Sequence, residues 1–333
     1  MALLLPPSKA SYLCEYLPRV ATTTVIADPA ISSVHRRQDQ ISVTDAGGST
    51  YPLVLPTLLP VTSIAAKGQG IALSMATDAS ATPTKANFVA DTVKWSVADL
   101  AQKTPKTGDN HTYTFSFRCH HCLTGLIDSR DYKFHEMPLE YWYELMDVWH
   151  CHKPNNDQET TKTYTNIAPK SPTDILVGLL YLLLMPSEQN PRLEYTEEHW
   201  RCSHCHADLG HERINKWTID LVFGDTIETY TKTEYWYLSM MDKVNMAVRK
   251  FSVDNWQVWV ANVDVGATIG GKAYPHCLKL MYKRQQGETS DNDEVVKLEH
   301  ADELFTELSQ ITAKLPKQCQ TAGDWNVSYL PLQ

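Results

Sequence analysis

The chain has 333 residues, with 30 basic and 39 acidic side chains that give a formal net charge of −9. This balance does not favour the dense cationic surface that captures a nucleic-acid backbone, and no local basic patch is visible, so we expect no direct nucleic-acid partner. The longest apolar run, Ile175–Met185, falls short of the roughly 20 residues that cross a bilayer, so we expect no membrane partner.

The N-terminal part of the chain consists of short β-branched runs separated by Gly, Pro, Asp and Ser clusters. The runs that carry this pattern are Thr22–Ile26, Ile41–Thr44, Tyr51–Leu55, Ile71–Met75 and Thr112–Arg118. Strands at such spacing favour antiparallel sheets closed into a sandwich or barrel. We therefore predict an N-terminal β-rich region over residues 1–115.

Two Cys-x-x-Cys pairs, Cys119-His-His-Cys122 and Cys202-Ser-His-Cys205, each lie close to the end of a predicted strand. A turn of this spacing lets two thiolates converge on one ion, and two such turns complete the four-sulfur tetrahedron of structural zinc. Since protein groups then fill all four positions, the zinc is predicted to be structural and not catalytic. A three-Cys, one-His variant stays open because five histidines lie near the pairs: His120, His121, His204, His206 and His211.

A helical period over Pro138–Trp149 leads into the stretch Trp149-His-Cys-His152-Lys-Pro154 and then into residues 153–172, which we predict to be a mobile loop. A thiol and two imidazoles at a helix end form a ligand set able to enter a metal site of another molecule. Two alternatives stay open: Cys151 and His152 join the internal zinc, or Cys151 is simply buried.

The second half of the chain repeats the β-rich pattern. It predicts strands at Ile175–Leu184, Lys216–Phe223, Trp256–Val263 and Cys277–Lys283, and helices at Thr233–Arg249 and Asp302–Leu315. No internal repeat and no Gly-rich phosphate loop is apparent. We predict an α+β, mainly β fold with antiparallel, sandwich- or barrel-like sheets, a few short helices and a structural zinc. Residues 116–333 form its zinc-stapled region.

Several of these motifs occur together in one known family. The run Phe117-Arg-Cys-His-His-Cys122, the stretch Pro138–His152 and Arg201-Cys-Ser-His-Cys205 resemble the HECT-like, ubiquitin-conjugating-enzyme-binding family. The similarity continues to the C-terminal part of the chain through Lys216–Leu221, Trp256–Asn262, Lys279–Tyr282, Leu315-Pro316 and Trp325–Val327. It therefore covers the chain from roughly residue 110 onward.

The resemblance implies roles for individual residues. It supports Cys119, Cys122, Cys202 and Cys205 as zinc ligands. It also implies a partner-contact segment, whose members are Trp142, Trp149, Cys151, His152 and Pro154. Two positions depart from the family pattern: His150 stands where relatives often carry cysteine, and Lys153 separates His152 from Pro154. The register of that contact is therefore open.

The family includes a human protein described as a ubiquitin ligase, so ligase chemistry is one hypothesis. A thioester-forming ligase needs an exposed, activated cysteine, and the candidates here are Cys277, beside His276, and Cys319. Neither has an activating set of neighbours, and the chain is too short for a full HECT domain beside the N-terminal sheet. We therefore predict a binding protein rather than an enzyme, with ubiquitin-protein transfer at Cys277 as the alternative.

The family also includes a yeast protein important for polyadenylation, which suggests a different role. Relatives are linked to messenger-RNA 3′-end cleavage by a metallo-β-lactamase endonuclease that holds two zinc ions. We predict an accessory, chaperone-like protein of the nucleus and cytoplasm in which Trp149 anchors the contact while Cys151 and His152 reach or block the metals of the endonuclease. The alternative partner is a ubiquitin-conjugating enzyme. A third reading is a scaffold in which this segment only anchors a loop.

Overall fold

The computed structural model describes residues 11–38, 40–76, 94–103, 114–137, 168–187, 190–245, 248–285 and 294–332. These residues form two compact units. The first unit combines residues 1–84 with 239–333, and the second unit comprises residues 85–238.

Strands dominate both units. The first twelve are β1 (Ser11–Leu17), β2 (Thr22–Asp28), β3 (Ile31–Arg37), β4 (Gln40–Asp45), β5 (Thr50–Pro52), β6 (Val61–Lys67), β7 (Gly70–Met75), β8 (Phe115–Cys119), β9 (Gly125–Asp128), β10 (Lys133–Glu136), β11 (Asp174–Val177) and β12 (Tyr181–Leu183). The others are β13 (Leu193–Thr196), β14 (His199–Cys202), β15 (Asp208–His211), β16 (Ile214–Asn215), β17 (Ile219–Phe223), β18 (Thr226–Thr229), β19 (Lys250–Val253), β20 (Trp256–Ile269), β21 (Lys272–Arg284), β22 (Thr321–Ala322) and β23 (Trp325–Pro331).

Helices are few in the described ranges: α1 (Val97–Gln102), α2 (Lys232–Asn245) and α3 (Ala301–Thr312). Helix α2 begins with a capping box, in which the Thr231 hydroxyl accepts from the Glu234 N–H and the Glu234 carboxylate accepts from the Thr231 N–H. None of the three has the length and apolar character that a membrane crossing requires. The predicted fold class, mainly β with few helices, is confirmed.

The first unit is built on a curled antiparallel sheet in the order β22-β23-β21-β20-β1-β2-β7-β6, to which β19 adds by pairing with β20. Strand β1 joins the two ends of the chain, because Leu13 pairs with Ile269 of β20. The small sheet β3-β4-β5 contributes to the same core as β1, β2 and β7, as a sandwich requires. The two regions expected from the sequence, 1–115 and 116–333, stay a prediction.

Strand β1 buries both of its faces because it lies inside the sheet. Tyr12, Cys14 and Tyr16 lie in the core shared with β2 to β7, whereas Leu13 packs in a second core with Cys277 and residues of β20 and β23. This follows from the two-residue alternation of side chains along a strand. The nearly continuous apolar run of β1 therefore has partners on either side.

The second unit contains three smaller sheets, in the orders β10-β11-β12-β16, β13-β14-β15 and β18-β17-β8-β9. All their pairings are antiparallel except that of β10 with β11. The strand predicted at Ile175–Leu184 is instead a hairpin of β11 and β12. Gly178 lies in the turn: its N–H donates to the Tyr181 carbonyl at 2.9 Å, and a Cβ at this position would lie 2.6 Å from the Tyr181 ring, which would have to move. The apolar run therefore supplies two strands.

Candidate metal centre

Each Cys-x-x-Cys pair forms the turn of a β-hairpin. The first knuckle, residues 119–124, joins β8 to β9, and the second knuckle, residues 202–207, joins β14 to β15. In the first, the Cys119 N–H donates to the Thr124 carbonyl at 2.8 Å and the Leu123 N–H donates to the Cys119 carbonyl at 2.9 Å. Both cysteines of a pair consequently lie on one tight turn.

The second knuckle repeats these bonds. The Cys202 N–H donates to the Ala207 carbonyl at 3.0 Å, and the His206 N–H donates to the Cys202 carbonyl at 2.8 Å. The hairpins also share their register, since the pair Ser116 and Asp128 corresponds to the pair His199 and His211. Both shift register at the arginine that precedes the first cysteine. The second knuckle therefore repeats the hairpin geometry of the first.

The shared sequence is too short to reveal this repeat. Both hairpins contain Arg-Cys-x-His-Cys followed by leucine four residues later, whereas the strand residues around them differ. A β-hairpin of fixed register needs few specified residues when a turn sets its geometry. The backbone bonds, and not the side chains, carry most of the resemblance between the two knuckles.

The four sulfurs lie together. Cys119 Sγ is 3.7 Å from Cys205 Sγ, and Cys122 Sγ is 3.6 Å from Cys202 Sγ. All four ligand atoms lie within 4.8 Å of one another. A tetrahedral ion with metal–sulfur bonds of about 2.3 Å separates its sulfurs by about 3.8 Å, whereas a disulfide needs about 2.05 Å. The group is therefore shaped to hold a metal ion.

Burial and hydrogen bonding shift the pKa values of Cys119, Cys122 and Cys205 in different directions. Burial raises the pKa of Cys119 to about 12 and also raises the pKa of Cys205. Hydrogen bonding to the Thr124 hydroxyl and backbone lowers the pKa of Cys122 to about 6. Four thiolates this close repel one another, so a divalent cation is the group that lets all of them ionise together.

Three of the five neighbouring histidines lie close to carboxylates. His120 Nδ1 lies 2.7 Å from Asp220, His206 Nδ1 lies 3.3 Å from Glu194, and His211 Nε2 lies 3.4 Å from Glu198. Within the described residues, the cysteines alone form a close group of metal-binding side chains. The arrangement thus favours four sulfurs over the three-Cys, one-His variant.

A buried carboxylate supports the first knuckle. Asp220, on β17, accepts from Arg118 Nε at 3.1 Å and lies against the His120 ring, while its own side chain is only 3% exposed. The backbone N–H of His120 donates to the backbone carbonyl of Thr218 at 3.0 Å. Asp220 was not predicted as a site residue from the sequence. An acidic residue between apolar neighbours in a strand, Ile219 and Leu221, is nevertheless a signal for a buried carboxylate. Such outer contacts orient the ligand-bearing loop.

We expect Asp220→Ala to weaken metal binding by about 10- to 100-fold, because the loop loses its fixed support and Arg118 loses its partner. Asp225→Ala is the matched control, since Asp225 is exposed in the turn after β17. Competition with a chromophoric chelator measures both affinities. Equal affinities for the two variants would contradict the supporting role of Asp220.

A positive φ angle occurs at the same position in both knuckles, at Leu123 (63°) and at His206 (55°). A left-handed conformation costs a residue other than glycine roughly 1–2 kcal/mol. Histidine occurs there more often than most residues, but leucine rarely does. Within the described residues, Trp95 is the other large apolar side chain at positive φ, with 61°, and it is fully buried. Leu123 is instead 56% exposed.

The segment of residues 94–103 is held in the second unit by an aromatic cluster. The Trp95 ring centroid lies 4.9 Å from that of Tyr230 and 5.4 Å from that of Phe117. Its indole Nε1 donates to the Glu228 carboxylate at 3.1 Å. The ring is therefore buried with its polar edge satisfied.

A buried lysine ties the same segment in place. Lys216 is 1% exposed, and its Nζ donates to the carbonyls of Lys94 and Trp95, at 3.2 Å each. Burial lowers the pKa of its ammonium group to about 7, and the carboxylates of Glu136 and Asp99 oppose that shift. The two carbonyls are paired through this side chain, which replaces the water they would otherwise bind.

Of the other candidate residues, Cys277, Cys319 and His276 do not belong to the metal group. Cys277 is fully buried in the first unit, and burial raises its pKa to about 12. Burial also raises the pKa of Cys319 and lowers that of His276. The predicted partner-contact residues, Trp142, Trp149, Cys151, His152 and Pro154, lie outside the described residues.

Comparison with known proteins identifies a family whose sequence model matches most of the chain. The sequence model of a family described as HECT-like ubiquitin-conjugating enzyme (E2)-binding matches residues 15–327. The chain is similar to "Uncharacterized protein YJR141W" of Saccharomyces cerevisiae, with 27% identity over 246 residues that cover 66% of this chain and 69% of that protein. No solved structure gives a significant match. The match begins in β1, well before the motifs on which the resemblance was based.

Proposed function

Because the chain belongs to the HECT-like ubiquitin-conjugating-enzyme (E2)-binding family, we propose that it binds a ubiquitin-conjugating enzyme and lends it no thioester-forming cysteine. One observation supports the absence of a thioester-forming cysteine. Outside the four-sulfur group, the described thiols are buried or half-buried, and burial raises the pKa of each: Cys14, Cys277 and Cys319. A nucleophilic thiol needs exposure and a lowered pKa.

Zinc is the ion we propose for the four sulfurs. Four thiolates at tetrahedral spacing are the ligand set that structural zinc prefers, and they leave no open position for water or substrate. The ion would supply folding free energy and no chemistry. Its role in the proposed function is to hold two hairpins of the second unit as one rigid surface.

The test has two arms, both with the full chain. Biolayer interferometry against a panel of recombinant ubiquitin-conjugating enzymes should detect binding to at least one of them. When that enzyme is charged with ubiquitin and mixed with the chain, a non-reducing gel should show no reducible ubiquitin adduct on the chain. Cys277→Ser and Cys151→Ser should leave both results unchanged.

Two outcomes would refute the proposal. Failure of every enzyme in the panel to bind would remove the first part. A reducible adduct that disappears in Cys277→Ser or Cys151→Ser would establish ubiquitin-protein transferase activity, and hence the ligase alternative.

The accessory role in messenger-RNA 3′-end cleavage stays a hypothesis, as do the nuclear and cytoplasmic location and the endonuclease as partner. It depends on Cys151 and His152, which lie outside the described residues. The Cys151→Ala/His152→Ala double variant should lose co-purification with the endonuclease. Wild-type recovery of the endonuclease with this variant would refute the hypothesis.

A further inference from the structure

The exposed side chains of the first knuckle are His120, His121 and Leu123, and we call them the knuckle tip. We infer that the knuckle tip is the surface that the ubiquitin-conjugating enzyme contacts, with Leu123 as its apolar anchor. The inference rests on the proposed function and adds the place of binding to it.

The first argument comes from the backbone. Leu123 has a φ of 63°, a conformation that glycine adopts readily and leucine does not. The bond from its N–H to the Cys119 carbonyl fixes this conformation as part of the turn. Glycine would therefore serve the turn better, and the leucine side chain needs another reason to be there.

The second argument comes from the side chain. Trp95 also has a positive φ, but its ring is fully buried, and burial offsets the unfavourable backbone. Leu123 is 56% exposed and gains much less from burial in this chain. The second knuckle places His206, a polar residue, at the equivalent position. The exposed apolar group is thus a property of one knuckle and is not required by the turn.

The third argument concerns rigidity. Leu123 follows Cys122 directly, and His120 is held between Cys119 and the buried carboxylate of Asp220. An anchor that is fixed before binding loses little conformational entropy when a partner closes on it. Interfaces commonly place such an anchor at the centre and polar groups at the rim, and His120 and His121 provide that rim.

These features define the partner surface. It must offer an apolar recess for one leucine, bordered by oxygen atoms that accept hydrogen bonds from imidazole N–H groups. Family membership commits the occupant to a ubiquitin-conjugating enzyme. The alternative partner for the knuckle tip is a second copy of this chain. Light scattering measures the molar mass in solution and so detects such a dimer.

The test uses the full, metal-loaded chain and the enzyme of the panel that binds wild type most tightly. The variants are Leu123→Gly, which removes the side chain and suits the positive φ, and Leu123→Asp. His206→Gly makes the matched change in the second knuckle. Zinc content and thermal melting are measured on all variants, and Leu123→Gly should melt at or above the wild-type temperature.

We expect both Leu123 variants to weaken binding at least tenfold, while His206→Gly stays within twofold of wild type. A decrease of less than threefold for Leu123→Asp overturns the inference and leaves the proposed function standing. An equal loss of binding in His206→Gly also overturns the inference, because the loss then results from a change in the structure of the knuckles and not from the missing leucine side chain. A wild-type dimer that Leu123→Asp dissociates assigns the surface to a second copy. If wild type binds no enzyme of the panel, the proposed function fails and this inference fails with it.

Discussion

Removal of the metal with a strong chelator is expected to unfold the second unit, residues 85–238, while the first unit keeps its sheet. Structural zinc in small thiolate sites binds with an apparent free energy of about 10–16 kcal/mol near neutral pH. That exceeds the whole stability of a typical domain, about 5–15 kcal/mol. Without the ion, four sulfurs held within 4.8 Å of one another have no cation to offset their repulsion.

Circular dichroism and limited proteolysis of the chelated chain measure this effect. Metal analysis of untreated protein should give one zinc per chain. Cys119→Ser and Cys202→Ser should reproduce the loss, whereas Cys319→Ser, in the first unit, should not. Protein that contains no zinc, or a second unit that resists protease after chelation, would contradict the account.

Replacement of Trp95 by alanine is expected to reduce the free energy of unfolding of the second unit by about 3–5 kcal/mol. A tryptophan ring buries about 200 Å², which at about 25 cal/mol per Å² corresponds to roughly 5 kcal/mol. The backbone strain at this residue is smaller, roughly 1–2 kcal/mol. Burial therefore outweighs strain. Guanidinium unfolding followed by circular dichroism measures the loss.

Trp95→Gly separates the two contributions. It removes the ring as alanine does, but it also relieves the positive φ of 61°. Its stability should lie within about 1 kcal/mol of that of Trp95→Ala. If Trp95→Gly were as stable as wild type, backbone strain and not ring burial would dominate at this site.

The metal centre could be predicted from the sequence because its chemistry is local. A Cys-x-x-Cys spacing at a strand end already specifies a turn with two converging sulfurs. What spacing cannot specify is which pairs meet, and Cys122 lies far from Cys202 along the chain. The helices at residues 232–245 and 301–312 were predictable for the same reason, since their apolar period is a local signal.

The features that the sequence did not reveal depend on tertiary structure. The pairing of β1 with β20 is a hydrogen-bond ladder between the two ends of the chain, and no local pattern encodes it. The apolar run after Ile175 suits one buried strand or two. The hairpin forms through the pairing of β11 with β12 and the bond from the Gly178 N–H to the Tyr181 carbonyl, which the run of apolar residues does not specify.

Polar burial was also missed, for a related reason. Lysine is normally exposed, so nothing in the sequence marks Lys216 as the buried residue that donates to two backbone carbonyls. Asp220 is also a buried charged residue. Unlike Lys216, it gives one sign of its burial in the sequence, because its neighbours along the strand are apolar. A charged residue can be buried only where partners bind its charge. For Lys216 and Asp220 these partners lie far away in the sequence, so the sequence does not reveal them.

The pairing of β1 with β20 has a consequence for how the protein is made. A nascent chain leaves the ribosome from its N-terminus, so β1 and β2 emerge long before their neighbours at residues 256–284. The second unit is contiguous, so it can fold once its last strands, β17 and β18, have left the ribosome. The first unit must wait until strands β20 to β23 have been made, with one edge of its early hairpin open to chaperones in the meantime.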